Sequence, residues 1–271
     1  MLNDITIGQF FPGTSFIHRM DARVKLVLTV VFIVFIFIAK NFYSLAAVII
    51  FTAAIVAFSG ISPKLYFKGL KAIWFLVIFT AILNMFYMDG TVLWQWWKIK
   101  ITVEGLYQSL FIMLRLVCLI ITSSALTYTT SPTDLTAAIE RLFAPLSKIG
   151  FKVHELAMMM TIALRFVPTL LEETQKIMDA QKARGADLES GSIIKKVKAL
   201  VPVLIPLFVS SLRRAFDLAV AMECRCYNGG EGRTHLKVFK LHTVDYIAIA
   251  LTIAVAAGIV ILNLHFGPIV K

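Results

Sequence analysis

The chain has 271 residues, 59% of them hydrophobic and only 16% charged, with a mean hydropathy of +0.82 and a net charge of +11. A soluble domain carries charge on about a quarter of its residues, so this composition excludes an ordinary soluble enzyme and points to a multi-span membrane protein. In such a protein a basic excess belongs to cytoplasmic loops and anionic headgroups, and no basic run interleaved with aromatics suggests nucleic acid.

The N-terminus lacks a charged-then-apolar leader pattern, so no cleaved signal is expected. Gly8 to Gly13 reads as an irregular lead-in. Asp21 stands where an N-cap belongs, and Arg23 and Lys25 mark the membrane edge. Leu26 to Ala39 and Phe42 to Phe58 are apolar but short, separated only by Lys40-Asn41. A tight transmembrane hairpin and a re-entrant pair both satisfy them, and either returns the chain to its starting side. Gly60 to Pro63 with Lys64, Lys68 and Lys71 reads as a basic loop. Ala72 to Met88 is the third span, Leu106 to Tyr128 the fourth and Tyr246 to about Leu264 the last. Trp94-Gln95-Trp96-Trp97 lies between the third and fourth, an aromatic cluster suited to a headgroup interface.

Residues 129–244 differ in kind, with 16 Lys/Arg and 11 Asp/Glu. Ser131-Pro132-Thr133-Asp134 is a capping box with proline at the first helical position. Leu135, Ile139, Leu142 and Leu146 follow at helical spacing. A second helix is expected from about Val153 to Arg184, bent at Pro168, and a third from near Val203 or Pro206 to Glu223. Ala199 to Leu212 contains Pro202 and Pro206 and is short, so it reads as interfacial. With five spans, the N-terminus, residues 59–71 and residues 129–244 share one side and hold 22 of the 27 basic residues. That side is therefore expected to be cytoplasmic and the C-terminus outside.

Two helix ends carry the functional question: Ala183-Arg184-Gly185 and Cys224-Arg225-Cys226. A cation in a last helical turn is favoured by the macrodipole by about 0.3–1 kcal/mol, and glycine is a natural C′ residue. Two such arginines, each after a long amphipathic helix, also suit a pair of rigid forks for carboxylate-lined grooves on another protein. Spacing alone leaves both readings open. Arg115, the one charge well inside a span, is either a functional intramembrane group or a partner to a backbone carbonyl. Met158, Met159 and Met160, with Leu170, Leu171, Ile177 and Met178, are either core filler or an adaptable groove for exchangeable membrane subunits. Cys224 and Cys226 with His235 nearby lack zinc spacing. There is no G-x-x-x-x-G-K-[ST], nucleophile motif, metal-spaced histidine set or intramembrane carboxylate cluster. An enzyme and a proton-coupled permease both lose ground accordingly.

The ordered motifs resemble the transmembrane T component (EcfT) of energy-coupling-factor transporters, a branch of the ABC transporters. The likeness runs nearly end to end: Gly8 to Gly13, Ser15 to Leu26 with His18-Arg19-Met20-Asp21, Leu164-Arg165-Phe166-Val167-Pro168-Thr169-Leu170, Gln181 to Asp187 and Ala221 to Thr234. The resemblance implies an all-α membrane protein of about five transmembrane helices and a cytoplasmic coupling domain of about three long amphipathic helices. It divides the chain into residues 1–130, 131–240 and 241–271. It implies a non-catalytic, multi-pass subunit of a prokaryotic cell membrane with its N-terminus in the cytoplasm. The partners implied are two cytoplasmic ABC ATPases, one substrate-binding membrane S subunit and membrane lipid. ATP and Mg would be held by the ATPases and no cofactor by this chain, and the cargo would be a vitamin or metal ion. Arg184 and Arg225 would enter grooves on the two ATPases. Cysteines replace both neighbours of Arg225, where the family usually has Ala-Arg-Gly. Cys226 lacks glycine's freedom, so the turn is expected to shift toward Asn228-Gly229-Gly230. Ala22 stands where the family commonly has proline.

Overall fold

Asp21 opens the first helix as its position suggests: its side chain accepts the Arg23 backbone N–H at 2.9 Å and caps α1, Ala22–Ile38. The computed structural model describes residues 10–87, 91–96, 99–186, 192–229 and 241–267. Asn41 and Ser44 exchange bonds in a capping box that starts α2, Phe42–Ser59, and Gly60 ends it in the left-handed region at φ 69°. Next come α3 (Pro63–Tyr87), the strands β1 (Val92–Trp96) and β2 (Ile99–Thr102), and α4 (Val103–Thr129). They are followed by α5 (Pro132–Phe143), a 3₁₀ turn over Ala144–Ile149, α6 (Val153–Ala183), α7 (Ile193–Cys224) and α8 (Thr243–His265). Ser131 accepts the Asp134 N–H at 3.1 Å, so the expected cap of α5 is present.

Apart from the short β1–β2 hairpin the described residues build an all-α membrane protein. Among the described residues five helices are long and apolar enough to cross a bilayer, α2, α4, α6 and α8 with α7 from Val197 onward, and the two parts of α3 make a sixth if they count as one bent span. That set differs from the expected one. It gains α6 and α7, whose Ala-, Met-, Leu- and Val-rich stretches outlast their charged turns, and it omits α1, whose 17 residues are short; α3 enters it only as a broken span, bent by 63° between Lys71 and Ile73. The lysines expected in a loop, Lys64, Lys68 and Lys71, sit on the first part of α3. Between α3 and α4 the alternating pattern Trp94-Gln95-Trp96 and Ile99-Lys100-Ile101 forms an antiparallel hairpin, with Gln95 opposite Lys100 and an irregularity between Val92 and Trp94. Trp97 lies outside the described residues. A third difference is α7, which runs unbroken through Pro202 and Pro206 from Ile193. Each proline removes one ladder bond, but the ladder on either side carries the helix across.

The chain divides into two compact units. Among the described residues the first contains 10–138 and 241–267, and the second 139–186 and 192–229. In the first unit Phe32, Ile36, Val48, Phe51, Cys118 and Ile259 form the core where α1, α2, α4 and α8 meet. Polar bonds fix the register. At one end the Asp21 N–H donates to Asp245 Oδ1 at 2.9 Å, the His242 N–H to Asp245 Oδ2 at 2.8 Å, and Lys25 Nζ to the Thr129 carbonyl at 2.9 Å. At the other end Asn263 donates to the Ile38 carbonyl at 2.9 Å and Asn41 to the Leu262 carbonyl at 3.0 Å. Helices α1 and α8 thus run parallel with their ends level, and α4 runs against both.

Two conclusions follow from that register. α1, about 26 Å long, lies along α8 with polar bonds tying it at both ends, so it is packed into the bundle over its whole length. Thr129 and Asp245 also lie at the same end of the bundle. The chain between them must return to the face it left, so α6 and α7 either both cross the membrane or both stay on one side.

Candidate functional site

The second unit holds both arginine motifs, and their backbones are alike. α6 ends with Arg184 as C-cap, and Gly185 follows in the left-handed region at φ 86°. The Gly185 N–H donates to the Lys182 carbonyl at 2.9 Å and the Ala186 N–H to the Gln181 carbonyl at 3.0 Å. α7 ends with Arg225 as C-cap, and Cys226 follows at φ 55°. The Cys226 N–H donates to Glu223 at 2.8 Å and the Tyr227 N–H to Met222 at 3.1 Å. Both are the paired 6→1 and 5→2 bonds of a Schellman ending.

The expected displacement of the second turn does not occur. Cys226 takes the glycine conformation itself, at a steric cost of about 1–2 kcal/mol for a side chain in that region. It is the one non-glycine residue at positive φ among those described. The double-bonded ending satisfies the last carbonyls of α7 and offsets that strain, so the cysteine does not move the tip.

Arg184 and Arg225 are exposed, and neither guanidinium has a hydrogen-bond or ion-pair partner among the described residues. Ala183 and Cys224, the residues before them, are the last helical positions and are also exposed, as are Gly185 and Cys226. Each guanidinium is therefore presented on an exposed helix tip of defined backbone geometry. Cys224 and Cys226 are free thiols.

What joins the two helices was not legible in the sequence. Glu173 uses both carboxylate oxygens on α7: Ser210 Oγ donates at 2.5 Å and Arg214 Nη2 at 2.6 Å. Ser210 and Arg214 are four residues apart and share a face of α7. A serine one turn before an arginine, inside an apolar stretch, was the only available signal.

Of the residues expected to line a groove on α6, Met159 and Met160 are exposed and Met158, Leu170, Leu171, Ile177 and Met178 are half-buried. The apolar surface continues on α7 with exposed Leu204, Phe208, Leu212 and Phe216. Arg115 lies outside this unit. Its Nη2 donates to the carbonyl of Ala39, the C-cap of α1, and its guanidinium sits 4.7 Å from the centre of the Phe111 ring. A backbone partner is thus present, while the buried Nε has none among the described residues. Among the described residues no group of three or more His, Cys, Asp or Glu side chains could hold a metal ion.

A multi-span helical bundle joined in sequence to a pair of long arginine-tipped helices defines a multi-pass membrane protein. The comparisons with known proteins say which. A family model described as "Cobalt transport protein" (CbiQ) matches residues 13–236. The chain is 48% identical over 98% of its length to the whole energy-coupling factor transporter transmembrane protein EcfT of Ruminiclostridium cellulolyticum. It is 54% identical to the EcfT protein of Clostridium kluyveri, over 92% of this chain and 93% of that one. With that of Bacillus subtilis it shares 44% identity over 95% and 97% of the two chains. The chain belongs to the CbiQ/EcfT family of energy-coupling factor transporter transmembrane proteins.

Proposed function

We propose that this chain is the non-catalytic coupling scaffold of an ATP-driven importer for a vitamin or a metal ion. It sits in the cell membrane of a prokaryote with its N-terminus in the cytoplasm. Arg184 and Arg225 dock on two cytoplasmic ABC ATPases, which hold the ATP and Mg. The apolar surface of α6, with exposed Met159 and Met160 and half-buried Met158, Leu170, Leu171, Ile177 and Met178, receives one substrate-binding membrane subunit. Movement of the ATPases on nucleotide binding is passed through α6 and α7 to that subunit.

The observation that carries this reading is the repeated ending: two exposed guanidinia, without a partner among the described residues, on two helices with the same Schellman geometry. Capping alone does not require that a cysteine adopt a glycine conformation to reproduce the first tip at the second. The test is Arg184→Glu with Arg225→Glu in the complete transporter. Uptake is expected to be lost and the ATPases to dissociate on purification, with membrane insertion retained. Normal uptake by the double variant would refute the docking role. Each single variant should also be impaired, because removing one partner of a buried arginine–carboxylate pair costs about 3–5 kcal/mol. A second reading follows from the length and apolarity of α6 and α7: if both cross the bilayer, Arg184 and Arg225 emerge on opposite faces and cannot serve two ATPases on one side.

A further inference from the structure

The bond between α6 and α7 is placed with a symmetry that neither helix requires for its own stability. Arg184 lies eleven residues beyond Glu173, and Arg225 lies eleven residues beyond Arg214. Each arm is helical up to the residue before its arginine, so each tip stands about 16 Å from the same polar contact. Glu173 is engaged through both carboxylate oxygens, and its two donors are successive residues of one face of α7. A contact made by two oxygens to two turns of a helix resists sliding along the axis as well as rotation about it. The surrounding apolar surface does neither, since Phe208, Leu212 and Phe216 are exposed and non-directional.

We infer that Glu173, Ser210 and Arg214 form the pin that sets the spread between the two arginine tips. They are positioning residues: none of them contacts an ATPase in this account. The inference rests on the docking role proposed above, because a fixed spread matters only if both tips are gripped at once. The pin makes two separate motions of the soluble subunits act on one lever pair. Without it each helix yields on its own and the stroke is absorbed as slippage.

The pin and the docking role are tested by different readouts. For the pin, spin labels are placed at Ala186 and Asn228, next to the tips, in a chain whose native cysteines are replaced by serine. The distance between the labels is measured in the purified full transporter and in the full chain alone. The parent is expected to give one narrow distribution. Glu173→Ala should broaden it, and the exchange Glu173→Arg with Arg214→Glu should narrow it again. Uptake should fall about tenfold in Glu173→Ala and recover at least in part in the exchange, while Ser210→Ala, which leaves the ion pair, falls by about threefold. An unchanged narrow distribution in Glu173→Ala would overturn the inference, as would an exchange variant as broad as the single one. Loss of the ATPases from Arg184→Glu/Arg225→Glu reports on docking alone and leaves the label distance in the isolated chain unaffected. A failed docking role and a failed pin are therefore told apart.

Discussion

Asp245 is the residue whose removal should most damage the membrane bundle. It is fully buried, and each of its oxygens accepts a backbone N–H from a different segment, Asp21 at 2.9 Å and His242 at 2.8 Å. In Asp245→Ala both donors lose a charged acceptor. A hydrogen bond to a charged group contributes about 1.5–3 kcal/mol, and a buried donor left unmade adds its own desolvation penalty. The Asp21 N–H belongs to a buried residue and cannot be rehydrated, whereas His242 is exposed and can find water. The lower bound applies to the second bond, and the total loss is about 3–5 kcal/mol. Asp245→Asn keeps one acceptor oxygen but turns an amide donor toward the other N–H, so about half of that loss is expected. The assay is reversible unfolding of the purified protein in mixed micelles, followed by circular dichroism as a denaturing detergent is titrated. An Asp245→Ala protein within about 0.5 kcal/mol of the parent, the range of an indifferent surface change, would refute the reasoning.

Three further outcomes are expected. Burial pushes the Asp21 carboxyl up, but hydrogen bonds from the Arg23 side chain and backbone and its positive charge outweigh this and hold the group below the usual aspartate value. A depressed pKa stabilises the fold above the unfolded value of about 3.9, and that contribution disappears as pH falls through the folded value. Asp21→Asn should be less stable than the parent at pH 7, with the gap closing below about pH 4; parallel melting curves down to pH 3 would contradict this. Cys226→Gly removes the left-handed strain but adds backbone freedom to the unfolded chain, for a net gain of about 0.5–1 kcal/mol. Hydrogen exchange at Cys226 and Tyr227 should then slow a few-fold with uptake unchanged, and faster exchange would argue against strain at that turn. Arg115→Met deprives the Ala39 carbonyl of its donor and should cost about 1–3 kcal/mol of stability, while uptake per folded molecule holds. A stable variant that fails to transport would return Arg115 to the functional candidates.

The membrane unit was readable where local chemistry decides it. Asp21 caps α1 as its place before an apolar run indicates, and Ser131-Pro132 starts α5 in the same way. The strands of the hairpin around Trp94 were missed because four- and five-residue alternations are easily lost beside long apolar runs. α7 was truncated because two prolines four apart outweigh the flanking helix in any local reading, and the ladder on both sides is a cooperative property. The helix ends at both arginines were found from sequence, since an arginine between small residues at the end of a long helical pattern is a local signal. Their supports were not. Nothing local marks Asp245 or Glu173 as a support, because the partners of each lie far away along the chain: Asp21 is 224 residues from Asp245, and Arg214 is 41 from Glu173.

The sidedness of the two tips tests the whole account most directly. Cys226 is a native exposed thiol beside Arg225, and a single cysteine placed at Ala186 reports the other tip. Each single-cysteine chain is challenged with a membrane-impermeant maleimide in sealed inside-out and right-side-out vesicles, with and without the two ATPases bound. Both positions should label in inside-out vesicles only, and both should be protected when the ATPases are present. Labelling of the two from opposite faces, or free labelling of both in the assembled transporter, would contradict it.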